Sequence, residues 1–162
     1  MSRVEVATVT TLVAVDPATA FDVFTGEIGE WWKSGPRYRF DPERNGIMRF
    51  EPGAGGRLVE VHDQKSGEGF EVGRVLVWEP GARLVFEFRA RAFAPGERTE
   101  VDVRFEPAGS GRTRLTLEHR GWESLSADHP ARRGWTGQAF TDLIGLFWAD
   151  LLVAMRARSK RR

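Results

Sequence analysis

Apolar and polar positions change rhythm along this chain, and each change marks an element. From Val4 to Val15, in VEVATVTTLVAV, Val9, Thr11, Val13 and Val15 recur at every second position. β-Branched residues at period two predict a strand with one covered face. Asp16 and Pro17 stop it. Asp caps helices and Pro suits a first helical turn, so Phe21 and Phe24, three apart, predict a short helix from Pro17 to about Thr25. Gly26 breaks that helix. Glu27 to Trp32 reads as a second short helical turn ending on the pair Trp31 and Trp32. The stretch KSGPRYRFDPERNG that follows, with two prolines and two glycines, predicts a surface loop.

Period two then returns six times, in IMRFE, RLVEVHD, FEVGRVLVW, RLVFEFR, TEVDVRF and TRLTLEH, between connections rich in Gly and Pro. Strands joined by turns of hairpin length predict an antiparallel meander with one face in and one out. Alternation is cleanest at Leu84, Phe86 and Phe88, at Val101, Val103 and Phe105, and at Leu115 and Leu117.

The last segment switches period. Phe140, Leu143, Ile144, Phe147, Trp148, Leu151, Leu152 and Met155 recur at helical intervals. At about 100° per residue they span roughly half the circumference, more than one sheet contact requires. The expected fold is α+β: a curved antiparallel sheet wrapped around a long C-terminal helix, with two short N-terminal helices closing one gap, in a single domain over residues 1–162. Trp31 and Trp32 should sit where sheet, small helices and long helix meet.

Composition narrows the function classes. The 24 basic residues nearly balance the 23 acidic ones, and a net charge of +1 supplies no field to recruit nucleic acid. The basic tail RARSKRR reads as a solvated helix end, its cations near the negative pole of the macrodipole. No cysteine is present, which excludes disulfides, thiolate nucleophiles and cysteine-ligated metal centres. The start of the chain lacks an apolar segment of signal-peptide length, and no run of eighteen consecutive apolar residues occurs. A cytoplasmic chain without membrane insertion is therefore expected.

Catalytic motifs are missing. No G-x-S-x-G occurs, and GAGG at 53–56 lacks the Lys-Ser/Thr of a phosphate loop and leads into a strand, so it reads as a turn. His62, His119 and His129 show no metal-binding spacing, and neither a metal nor another cofactor is expected.

The segments GRVLVWEPGARLVFEF and TEVDVRFEPAGSGRTRLTLEHRGW, the aromatic-rich final helix and the N-terminal AFDVFTGEIGEWW together carry a resemblance. They resemble the activator of heat shock protein 90 ATPase homologue-like branch of the START-like (SRPBCC, Bet v I-like) superfamily, over about Val4 to Met155. The resemblance implies a helix-grip fold with a cavity between sheet and C-terminal helix that in relatives often holds an apolar small molecule. The co-chaperones that name the branch act through a separate N-terminal domain, and a chain of 162 residues has no room for one, so chaperone contact is not expected.

Function is then expected in that cavity: non-catalytic binding of a small hydrophobic or amphipathic molecule. On the sheet side Phe86, Phe88, Val103, Phe105 and Leu117 would line it. Phe140, Ile144, Phe147 and Trp148 would line it from the helix, with Trp32 at the seam. His119 continues the register of Leu115 and Leu117 and is either a core histidine bonded to a neighbour or a polar ligand contact. Two other readings stay open: a small cyclase- or hydrolase-type enzyme using a cavity His or carboxylate as general base, and a co-chaperone-type binding module. The register leaves open whether Glu60, His62 and Arg74 face the cavity, where a buried charge would need a partner. Leu146 and Val153 lie opposite the main helical stripe and could meet a second subunit or the loop near Phe93. Gly145 costs about 1 kcal/mol relative to Ala inside a helix and suggests close backbone packing there.

Overall fold

The computed structural model describes residues 4–162. Seven antiparallel strands form one sheet: β1 (Ala7–Val13), β2 (Ile47–Phe50), β3 (Arg57–Val61), β4 (Gly69–Glu79), β5 (Arg83–Phe88), β6 (Thr99–Pro107) and β7 (Thr113–Arg120). Their spatial order is β1-β7-β6-β5-β4-β3-β2, so the meander runs unbroken from β2 to β7, and β1 adds to its far edge. Among the described residues three α-helices complete the fold, α1 (Pro17–Gly26), α2 (Ile28–Trp31) and α3 (Gly137–Ser159), with two short 3-10 turns between β7 and α3.

Local chemistry explains each boundary. The Asp16 side chain accepts from the Thr19 amide at 2.8 Å and Pro17 opens α1, the arrangement expected of a capped helix start. The sheet curls where its ladder slips, at Leu58/Val59 and at Val75/Val77. Gly73 belongs to the same bend: a Cβ there would lie 1.7 Å from the Glu87 carbonyl oxygen, so only glycine allows the two strands this close. The inward alternation is as expected, with Leu84, Phe86, Phe88, Val101, Val103, Phe105, Leu115 and Leu117 all buried.

α3 lies in the grip of the sheet and buries Phe140, Trp148, Leu151, Leu152 and Met155. Its 23 residues, with a mean hydropathy of 1.4 over the most apolar window, are long and apolar enough to cross a membrane. In this fold the apolar face packs on the sheet and on α1 and α2 instead. Trp31 and Trp32 seal the expected seam. The Trp31 indole donates to the Val23 carbonyl at 3.0 Å and that of Trp32 to the Tyr38 carbonyl at 2.8 Å, so both buried rings are satisfied.

Three expectations need correction. The segment from Lys33 to Gly46 is not a plain surface loop, because Tyr38 and Phe40 turn inward. Tyr38 stacks on Phe147 at 5.7 Å and Phe40 on Phe70 at 5.3 Å, so apolar burial outweighs the loop-like composition. The basic tail is tied back, Arg158 donating to Glu27 at 2.7 Å and Arg162 bonding to the same carboxylate. At Gly145 nothing among the described residues lies within 4 Å of an added Cβ, so close packing against them does not account for that glycine.

Candidate functional site

The expected lining residues separate into three groups. Phe86 and Phe105 lie under α1 and its neighbours, with Phe105 5.3 Å from Phe21 and Phe86 5.2 Å from Phe50. Val103 and Leu117 face each other across β6 and β7 and join the same core. Around α3, Trp32, Phe88, Phe147 and Trp148 meet edge to face, with Trp32 5.7 Å and Phe88 6.0 Å from Trp148. Side chains therefore fill the space where the open middle of the cavity was expected. Three surface grooves among the described residues touch none of these expected lining side chains.

His119 is the hub of the α3 group. It is 1% exposed, and both ring nitrogens are engaged. The Trp148 indole N–H donates to Nδ1 at 3.0 Å, so Nε2 carries the proton and donates to Thr99 Oγ1 at 2.7 Å. The Thr99 hydroxyl in turn donates to the Phe88 carbonyl at 2.8 Å. This one-directional chain needs a neutral imidazole, and burial pushes the His119 pKa down to about 3. Of the two readings open from the sequence, the core histidine is the one present.

Phe140 belongs to a smaller cluster at the end of the grip, built with Trp122, Leu125 and Phe93, and Ile144 packs against both this cluster and the main core. Two loops cover the smaller cluster. Phe93, in the β5–β6 loop, meets Trp122 at 6.0 Å, and Phe140 meets it at 4.9 Å. In the β7–α3 loop the His129 Nδ1 accepts from the Ala131 amide at 3.1 Å, so its Nε2 donates to Glu97 of the facing loop at 2.8 Å. A buried ion pair pins the same loop: Arg132 bonds both Glu5 oxygens, at 2.9 and 2.6 Å, and also the Trp122 and Leu125 carbonyls. These bonds from Arg132 hold the Glu5 carboxyl below its usual pKa range. Sequence reasoning missed the clamp, because residues 127 positions apart carry no local pattern.

One polar atom in this cluster stands out. Trp122 is 3% exposed, yet its indole Nε1 has no hydrogen-bond partner among the described residues. A buried N–H without an acceptor is costly and rare, and it is the sort of group that a bound molecule satisfies.

The polar trio left open on β3 and β4 divides. Glu60 is fully buried, its carboxylate accepting from the Phe40 and Asp41 amides at 2.9 and 3.0 Å and bonding His62 at 2.7 Å. It anchors the 33–46 loop. Arg74 is in solvent beside Glu71. No group of three or more His, Cys, Asp or Glu suited to a metal ion occurs among the described residues.

With this geometry in place, comparison with known proteins decides the family. Residues 14–145 match the model of the Activator of Hsp90 ATPase homolog 1-like protein family. The chain belongs to that family. Solved structures of the same helix-grip, Bet v I-like fold cover nearly all of it. A Mesorhizobium loti protein, MLL2253, shares 18% identity at a TM-score of 0.65, over 96% of this chain and 97% of its own. CalC, a self-sacrificing resistance protein from Micromonospora echinospora, shares 22% at 0.64, over 96% and 94%. An HSP90 activator from Plasmodium falciparum shares 16% at 0.61, over 94% of each chain. No curated protein sequence matches this family member significantly.

Proposed function

We propose that this family member binds a small apolar or amphipathic molecule at the loop-covered end of the grip, between α3 and the sheet, without transforming it. The orphan indole N–H of Trp122 carries the reading. Around it Phe93, Leu125, Phe140 and Ile144 supply the apolar surroundings typical of small-molecule sites, which pair mostly apolar walls with few polar groups. The ligand has an apolar body and one carbonyl or hydroxyl oxygen placed to accept from Trp122 Nε1. Entry requires the Phe93 loop to lift, since the space is closed by side chains. The buried groups near α3 that could serve as a base are engaged: at the site itself His129 spends its nitrogens on Glu97 and the Ala131 amide, and Glu5 its carboxylate on Arg132 and the Gly137 amide. His119 spends both nitrogens on Trp148 and Thr99, and Glu60 spends its carboxylate on two amides and His62.

The test is a tryptophan-fluorescence titration with an anthraquinone, palmitate and 1-anilinonaphthalene-8-sulfonate, repeated on Trp122→Phe. At least one probe should bind, and the loss of one hydrogen bond should weaken it by about 1 kcal/mol, roughly fivefold. Binding of none of the three, or equal affinity for the wild type and Trp122→Phe, rejects the proposed site.

A further inference from the structure

The outer edge of β1 is an open template. Apart from the β7 ladder, no backbone or side chain among the described residues bonds to the backbone of residues 6–12. Antiparallel geometry turns the N–H and C=O of every second residue of β1 toward this free side. Soluble proteins blunt such edges with charges, proline or a bulge. The opposite edge does so: β2 has four residues, includes Arg49 and is soon followed by Pro52. β1 has seven residues, ATVTTLV, with no charge, no proline and an unbroken register.

A groove of about 560 Å³ runs along this edge. One wall is formed by the consecutive residues Val6 to Thr10, the other by Gln138, Thr141, Asp142, Gly145 and Leu146 of α3. Leu146 is 56% exposed, and Leu143 and Val153 are also exposed along the helix. Gly145, whose missing side chain no described residue explains, opens onto the groove and leaves its helix backbone approachable.

We infer that a second copy of this chain docks here, its β1 pairing antiparallel with β1 across a two-fold axis near Thr10. The strand is complementary to itself. The axis sets Thr10 beside its own image and Thr8 beside Leu12, so along the paired strands no charge meets a like charge, and the contact closes as a dimer. Because α3 packs against β1 on the concave side, the same axis brings the two α3 helices side by side and antiparallel. Leu146 then gains an apolar neighbour, and Gly145 admits the approaching chain. This inference is independent of the proposed ligand site.

Sedimentation velocity on the full chain tests it, with Thr10→Lys on the edge and Leu146→Glu on the helix wall. Both side chains are solvent-facing, and circular dichroism melts confirm that each variant folds. A dimer is expected, with its dissociation constant raised by about tenfold or more in each variant. Hydrogen exchange on the wild type gives a readout free of mutation: β1 amides should exchange more slowly as chain concentration rises. A monomer at all concentrations approaching millimolar, a dimer that both variants leave intact, concentration-independent exchange at β1, or a monomer that instead takes up extended peptides at this edge overturns the inference.

Discussion

Acid should unfold this protein partly through one residue, His119. The folded chain keeps its imidazole neutral down to about 3, because protonation would put a charge in the core and break the bond that Nδ1 accepts from Trp148. In the unfolded chain a histidine protonates near about 6.5. Over the window between these values the unfolded state binds one more proton, so protons favour unfolding. The stability that His119 contributes is fully present above the unfolded value. It falls by about 1.4 kcal/mol per pH unit below it, and the loss levels off only once pH passes below the folded value. By about pH 4.5 the loss amounts to about 2–3 kcal/mol. Replacement by phenylalanine removes the titration but leaves the Trp148 N–H without an acceptor, at about 2 kcal/mol independent of pH. Urea unfolding of the wild type and His119→Phe should therefore favour the wild type near neutrality, and the two stabilities should cross near about pH 5. Acidic groups such as Glu5 affect both proteins alike and cancel in the difference. A stability difference that stays constant with pH, or an NMR titration placing His119 in the ordinary histidine range, would refute the reasoning.

The clamp between Glu5 and Arg132 should be worth more than a surface ion pair. Arg132→Met strips the nearly buried Glu5 carboxylate of its counter-charge, leaving it only the Gly137 amide, and leaves the Leu125 carbonyl unpartnered, so it should lower stability by about 3 kcal/mol in urea unfolding, with faster hydrogen exchange in residues 121–136 before elsewhere. Gly145→Ala should act in the other direction. The added methyl has open space and improves helix propensity, so the folded monomer should gain up to about 1 kcal/mol in the same assay at low chain concentration.

Period and punctuation in the chain already specify the order of elements, since covering one face of a strand or helix imposes a repeat on neighbouring residues. The seven strands, the Asp16 cap, the inward set from Leu84 to Leu117 and the Trp31–Trp32 seam all follow from contacts whose partners are near in sequence or dictated by the pleat. His119 was placed on the apolar face by the same rule. Tertiary structure alone decided what its two nitrogens do, because Thr99 and Trp148 come from β6 and α3, 20 and 29 residues away. It alone turned Tyr38 and Phe40 inward, tied Glu5 to Arg132, left the Trp122 N–H without an acceptor and opened Gly145 onto a groove. Such outcomes depend on where distant segments end up in space, and a polar group's partner leaves no periodic trace in the sequence around it.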